Sequence, residues 1–500
     1  MVGPSYTSLS PNAAIERCVN LYPELIESHS DAQTKEVVLY GTPGYRRFCL
    51  LPGPGGVRGL YTTSRGRCFA VVAERVYELF SGGTFLLRGT LTVPPSVQPS
   101  SQTGPVSMAD DGVYLVVVDG QPNGGWTLKL APTTSDGTTG QWQAIHDSPA
   151  SAGFTGARRV DFFDGFFVFD SLEQPGVVYI SGLYDPLTDD PTEFATAESS
   201  PDAVIGHIVN NREWWLFGSR SLEVWYDAGA QEFPFAPISG TASSAGLAAC
   251  FSLQTMGNRV YWLSQVEEGA AVVVRNNGYQ PERISTHAIE NAIRGKQIDD
   301  CIAYAEQWGG HGFYVLSFPT ANMTWAYDTT MGLWHERAHY TPQPDGDVSH
   351  DLGMDLAQYH CFYQGQHLMG GAADGRIFVS DPDYYWHDTD PIVRDRIGWH
   401  VKDPDSLRYL YWSVVELDLE RGVGLDGGVQ PGTDPQVMLK WSDDGGHTWT
   451  SFRQASFGAL GQYRQRALWR RLGKSRDRVP WIRITDPVKV ALVGARMEVT

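Results

Sequence analysis

The sequence predicts an all-β protein: a β-propeller of six or seven blades, a C-terminal β-sandwich-like domain and an irregular N-terminal segment. Three observations carry this reading. A strand–turn–strand pattern recurs at intervals of roughly 45–55 residues, the period of four-stranded blades. The second strand of each repeat is apolar on both faces, as in "VYLVVV" and "FYVLSF", so it belongs between two layers. Aromatic residues make up 12% of the 500, including 16 Trp and 23 Tyr, and they suit strands and a well-filled core. The 54 Gly and 30 Pro exceed the usual combined share of about 12% only modestly, so the chain is not of low complexity.

Residues 1–45 show no blade pattern and are expected to form an extended docking segment. Within them "NAAIERCVNLYPELIE", from Asn12, reads as a turn of helix ended by Pro23. "GTPGYRRF", from Gly41, is turn chemistry.

The propeller is expected over 46–397. Its repeats are "SRGRCFAVVAERVYELF" at Ser64, "DDGVYLVVVDG" at Asp110, "FFDGFFVFDSLEQPGVVYIS" at Phe162 and "VNNREWWLFGSRSLEVWYD" at Val209. "TMGNRVYWLSQVEEGAAVVVRN" at Thr255, "WGGHGFYVLSFPTANMTWAYD" at Trp308 and "YQGQHLMGGAADGRIFVSD" at Tyr363 come next. The last repeat is the least regular, which leaves the count at six or seven. A single blade cannot cover both faces of its own sheet; a ring of blades can. One helix is expected in "ISTHAIENAIRGK", from Ile284. Ser285 or Thr286 caps it, Ile289 and Ile293 share a face, and Gly295 stops it. Residues 398–500 hold four or five β segments, among them "YLYWSVVELDLE", "QVMLKWSDDGGHTWTSF" and "KVALVGARMEV".

Lys and Arg number 38 and Asp and Glu 57, for a formal charge of −19. Such a surface does not hold nucleic acid by wrapping it in cations. An acidic wall can still surround DNA and let it pass. The six cysteines (Cys18, Cys49, Cys68, Cys250, Cys301, Cys361) form no C-x-x-C pair and no zinc spacing, which fits synthesis in a reducing cytoplasm. No secretory signal and no apolar run near 18 residues is visible, so no membrane span is expected. No glycine-rich loop precedes a helix, and no cofactor is expected.

Four motifs carry possible chemistry. "WSDDGGHTWT", Trp441–Thr450, places Ser442, Asp444, Gly446, Thr448 and Trp449 in the pattern of an Asp box. That β-hairpin device is known from sialidases, but it braces a turn and is not their catalytic centre. "HERAH", His335–His339, matches the zinc-protease pattern H-E-x-x-H. The pattern works only on a helix, whereas Gly332 and the flanking residues read as strand, turn, strand. "DPDYYWHDTD", Asp381–Asp390, lacks the spacing of a Ca²⁺ loop and reads as a solvated acidic loop. No catalytic, cofactor-binding or metal-ligating residue is therefore assigned. The fourth motif is the cationic run of Arg464, Arg466, Arg470, Arg471, Lys474, Arg476 and Arg478 around Trp469. Three readings stay open for it: contact with nucleic acid, docking against an acidic protein, and a solvated strand face.

Long segments carry a resemblance. "NAAIERCVNLYPELIE", "SRSLEVWYDAGAQEFPFAPISG" from Ser219, "GGHGFYVLSFPTANMTWAYDTTMGLWHER" from Gly309 and "WRRLGKSRDRVPWIRITDPVKVALVGA" from Trp469 resemble the packaged-DNA stabilisation protein of short-tailed bacteriophages. That family is also described as the tail hub or nozzle. The resemblance spans almost the whole chain. It implies a structural, non-enzymatic virion protein of the phage tail, made in the cytoplasm of the bacterial host. It further implies a homo-hexamer below the portal and its adaptor, extending the channel for double-stranded DNA without sequence-specific binding. Such a ring helps retain packaged DNA, takes part in genome ejection, and offers surfaces to the tail needle and to tailspikes or fibres. Within that role the cationic run is expected to be an assembly interface, with Trp469 as its anchor. The competing reading is a host-surface glycan-binding or sialidase-like propeller.

Overall fold

A computed structural model describes residues 2–26, 37–92, 103–130, 142–148, 150–151, 153–188, 194–197, 202–230, 233–265, 271–340, 352–403, 408–427 and 430–499. Strand dominates, at 53% against 4% helix. Six antiparallel four-stranded units succeed one another at 57–90, 107–144, 160–196, 204–237, 254–283 and 302–337. A seventh unit takes three strands from 357–381 and its fourth, Gly44–Leu50, from the other end of the chain. Here Asp381 lies opposite Gly44 and Arg376 opposite Leu50, with one register shift at Ile377/Phe378. The irregular repeat at Tyr363 thus looks incomplete in sequence because its outer strand is not local to it.

The two-faced strands do what their pattern demands. In Cys68–Val72, Phe69 and Val71 pack with Leu115 and Val117 of the second blade. Cys68, Ala70 and Val72 face the other way, onto Leu368, Ile377 and Val379 of the seventh. The alternation repeats around the ring, giving one apolar cluster at every junction between neighbouring blades. Each fully buried large side chain contributes about 1.5–3 kcal/mol. Because each face finds a partner only in the next blade, the ring is stable when closed.

Polar groups fasten the closing junction. Arg337, on the sixth blade, pairs with Glu306 and donates to the Tyr304 hydroxyl at 3.2 Å, with its guanidinium 5.2 Å from the Phe313 ring centroid. Both ion-pair partners are buried, with side chains 3% and 1% exposed. On the closing strand, the Tyr45 hydroxyl donates to Asp355 at 2.6 Å. Burial pushes the Asp355 carboxyl up to about 6, although Arg337 and Tyr45 pull the other way.

The N-terminal stretch corrects one expectation. "NAAIERCVNLYPELIE" holds two strands, Ile15–Val19 and Leu21–Leu25, and no helical turn. Cys18, Val19 and Leu21 are buried in a sheet context that outweighs local helix propensity. Asn20, at φ 53°, turns the chain between them. Its side-chain amide donates to the carbonyls of Ala338 and Val393 and accepts from the Ala338 N–H. This one residue ties the end of the sixth blade to the chain entering the strand Arg394–Ile397.

The remaining strands form two layers. Ile15–Val19 pairs with Arg394–Ile397, then come Asp477–Ile484, Gln436–Ser442 and Arg453–Ser456. A single parallel bridge from Val19 to Glu336 continues this layer into the sixth blade. In the second layer Leu21–Leu25 and Val37–Gly41 join Ala491–Val499, Leu410–Leu419 and Ala467–Arg470. Trp412, Leu417, Leu439, Trp441, Trp469 and Ile482 fill the space between the layers, together with Cys18 and Leu39 from the N-terminal segment. The architecture is a β-propeller with a C-terminal β-sandwich. The helix is His287–Ile293, begun at Thr286, with Ile289 and Ile293 buried. No helix among the described residues is long and apolar enough to cross a membrane.

Candidate functional site

The Asp box spans the connection between Gln436–Ser442 and Arg453–Ser456. The Ser442 hydroxyl donates to Asp444 at 2.6 Å and accepts the Gly446 N–H at 2.8 Å. Asp444 also accepts the Thr448 N–H at 2.9 Å and its hydroxyl at 2.6 Å. These bonds, from Ser442 foremost and then Thr448, hold the Asp444 carboxyl below the usual range. Trp449 packs edge-on against Trp481, with ring centroids 5.0 Å apart, and Lys440 caps the Trp481 ring at 3.6 Å. Gly446 lies at φ 95°, and a Cβ there would meet Ile15 at 2.3 Å. The motif braces a loop and seats the N-terminal segment, and the side chains of Ser442, Asp444 and Thr448 are spent on one another and on the backbone of the turn.

The "HERAH" residues lie on strand. Leu333–Arg337 is the outer strand of the sixth blade, and His339–Tyr340 is a separate short strand. At about 3.3 Å per residue, His335 and His339 stand roughly 13 Å apart along the chain, beyond the reach of one ion. His335 is buried edge-on against Phe313. Burial, then the nearby Arg337 and His311, holds it neutral, well below the usual imidazole range. Glu336 pairs with Arg17, and Trp334 is buried with its indole N–H on the Ile284 carbonyl at 2.9 Å. Among the described residues no cluster of three or more His, Cys, Asp or Glu is placed to hold a metal.

The acidic loop is less solvated than its sequence suggests. Asp388 is buried at φ 61° and pairs with Arg47 of the closing strand and, at 3.0 Å, with Arg376. Burial raises its carboxyl, but the two arginines outweigh this and hold it below the usual range. The loop is a clasp on the seventh blade.

The cationic run divides in two. Trp469, expected to anchor an interface, belongs to the sandwich core and donates its indole N–H to the Arg453 carbonyl at 2.9 Å. Arg478 is also buried. It forms a two-pronged pair with Asp443, at 2.6 and 2.8 Å, and lies between Trp412 and Trp441. Arg466 is exposed but paired with Glu416. Arg464, Arg470, Arg471, Lys474 and Arg476 are exposed. Strand pairing sets Arg470 opposite Val414 and Lys474 opposite Tyr411. The Lys474 ammonium and the Arg476 guanidinium lie 4.9 and 4.7 Å from the Tyr409 ring centroid. Tyr409, Tyr411, Lys474 and Arg476 form one cationic and aromatic patch, and Arg470 and Arg471 are exposed further along the same strand pairing. Tyr409 and Tyr411 escaped the sequence reading, although they fall on the outward register of "YLYWSVVELDLE", opposite in face to Trp412.

Comparison with known families speaks to both domains. A family model for the β-propeller of bacteriophage P22 Gp10 matches residues 17–384, and a model for the β-sandwich of the same protein matches 405–500. The chain belongs to the bacteriophage P22 Gp10 family. The resemblance read from the sequence is thereby shown. The Gp10 family is a phage structural family, a virion component that stabilises packaged DNA. Among solved structures, the chain is similar to the WD40 β-propeller domain of Doa1 (11% identity, 67% of this chain and 96% of that one, TM-score 0.38). It is also similar to the extracellular domain of BT4673 from B. thetaiotaomicron (10%, 67% and 40%, TM-score 0.41). A third is the N-terminal domain of Nup159 (9%, 69% and 96%, TM-score 0.39). None of these likenesses is close enough to bear on function. A search of curated proteins finds no match.

Proposed function

We propose that this chain is the tail hub or nozzle of a short-tailed bacteriophage, and that it works as a load-bearing wall and not as an enzyme. The family match over both domains carries the reading. Six copies form a ring below the portal and adaptor, extend the DNA channel, retain the packaged genome and conduct it during ejection. Tail needle and tailspikes or fibres dock on the ring. Synthesis takes place in the bacterial cytoplasm.

Two physical features support this role. A parallel bridge from Val19 to Glu336 and the Asn20 side chain, bonded to Ala338 and Val393, tie the propeller to the sandwich and stiffen the link between them. The net charge of −19 per chain repels the DNA backbone, which favours passage over adhesion. The same charge sets copies of the chain against one another. A patch of exposed cations on an acidic protein relieves that repulsion when it meets a neighbour's carboxylates. The assembly interface is therefore Arg470, Arg471, Lys474 and Arg476, with Tyr409 and Tyr411 as the aromatic component.

The double variant Arg470→Glu with Arg471→Glu tests this. It is expected to melt like the parent and to be poorly incorporated into tails. Normal incorporation with leakage of packaged DNA would transfer the patch to DNA contact, and no change in either would return it to solvent.

A further inference from the structure

A cavity of about 720 Å³ lies at one end of the propeller axis. Its walls come from the beginnings of the inner strands around the ring: Arg58 from the first blade, Ile205 from the fourth, Tyr359 from the seventh. Phe251 and Asp300 enter from the loops before the fifth and sixth.

Arg58 is the unusual member. It is 4% exposed. Nε donates to the Gly104 carbonyl at 2.7 Å and Nη1 to the Ala73 carbonyl at 2.5 Å. Among the described residues Nη2 is buried without a hydrogen-bond partner, and no carboxylate lies within ion-pair distance of the group. Its hydrogen bonds go to neutral carbonyls, and the buried Asp119 carboxylate offsets its desolvation only in part, so burial holds the guanidinium below its usual range. An incoming oxyanion would offset the remainder through a charge-assisted hydrogen bond.

The rest of the lining narrows the ligand. Asp300 accepts the Thr320 N–H at 2.8 Å through Oδ2, while its buried Oδ1 has no hydrogen-bond partner among the described residues. Just beneath the cavity wall there are therefore one donor and one acceptor without hydrogen-bond partners among the described residues. The wall also carries apolar surface, from Phe251, Ile205, Ile302 and Pro319. A phosphate or a nucleic acid backbone suits Arg58, but the other lining cation, Arg158, is already paired with Asp170 at 3.2 Å, Asp299 and Asp300 repel such an anion, and it has no use for the apolar surface. A polypeptide carries all three complements: a carboxylate, an N–H group and apolar side chains.

We propose that the axial cavity of the propeller binds a carboxylate-bearing peptide segment, with the carboxylate on Arg58 Nη2 and an N–H donor on Asp300 Oδ1. The site would give the ring a protein ligand on its own axis, separate from the sandwich patch. It does not depend on the tail reading, and a failure here leaves that reading intact.

The test is calorimetric titration of the full chain with N-acetyl-Leu-Glu-methylamide, its Leu-Gln counterpart and inorganic phosphate. The Glu peptide is expected to bind at least about tenfold more tightly than the Gln peptide. Arg58→Gln should erase that preference while the thermal melt stays cooperative. Should that variant fail to fold, Asp300→Asn serves, and is expected to weaken the Glu peptide without touching the preference for Glu over Gln. Equal binding of the two peptides, binding indifferent to Arg58, or no peptide binding at millimolar concentration would overturn the proposal. So would phosphate binding more tightly than the Glu peptide.

Discussion

A chain lacking residues 1–51 is expected to yield no soluble protein with a cooperative melt. The deletion removes the fourth strand of the seventh blade and uncovers the junction where Cys49 and Leu51 pack with Leu368, Ile377 and Val379. It also takes two strands from each sandwich layer, Tyr6–Thr7 with Ile15–Val19 from one and Leu21–Leu25 with Val37–Gly41 from the other, and with them Cys18, Leu21 and Leu39 of the core between the layers. Both domains lose an edge and a core wall at once, and an open propeller exposes backbone that pairs with other chains. The milder Gly44→Ala isolates the closing strand. A Cβ there would stand 2.1 Å from the Tyr384 carbonyl oxygen, and overpacking of this kind costs about 1–3 kcal/mol or more. Circular dichroism melts measure both. A soluble truncated protein with the parental melting temperature would show that the N-terminal strands do not close the ring.

The second large effect belongs to the buried pair at the next junction. Arg337→Met is expected to destabilise the fold by about 3–5 kcal/mol, because Glu306 is left charged and uncompensated. The geometry makes a further demand. Two guanidinium nitrogens of Arg337 and one oxygen of Glu306 are buried without hydrogen-bond partners among the described residues, so the pair itself is imperfectly satisfied. Arg337→Met combined with Glu306→Leu should therefore recover most of the loss. Denaturant titration of the single and double variants decides it. A double variant as unstable as the single would mean that Arg337 acts by packing over Phe313 and Tyr304, and not by charge.

Much of this architecture was legible in the residues. Strands such as Cys68–Val72 and His311–Phe318 are buried at every position, and only a layer on each side can cover them. The Asp box was legible as a turn device because its spacing sets Ser442, Asp444 and Thr448 within hydrogen-bonding reach of one another. What escaped depends on partners distant in sequence. Ile15–Val19 resembles a helical turn locally and becomes a strand through Arg394–Ile397. Trp469 and Arg478 sit among exposed cations in the sequence, yet the strand alternation of Ala467–Arg470 and the carboxylate of Asp443 turn them inward. Asp388 reads as one more acid in a polar loop until Arg47, from the far end of the chain, closes on it. Arg58 carried no sequence signal, since its isolation depends on which carbonyls happen to surround it.

The claim that most needs testing is that this chain builds a symmetric conduit. Electron cryomicroscopy of intact virions, with the tail reconstructed without imposed symmetry, measures it directly. The expected result is six copies in a closed ring around the DNA axis below the portal, with the Tyr409–Arg476 patch at a protein contact. A chain found only at the periphery of the tail, in threefold spikes, or absent from the particle would contradict it.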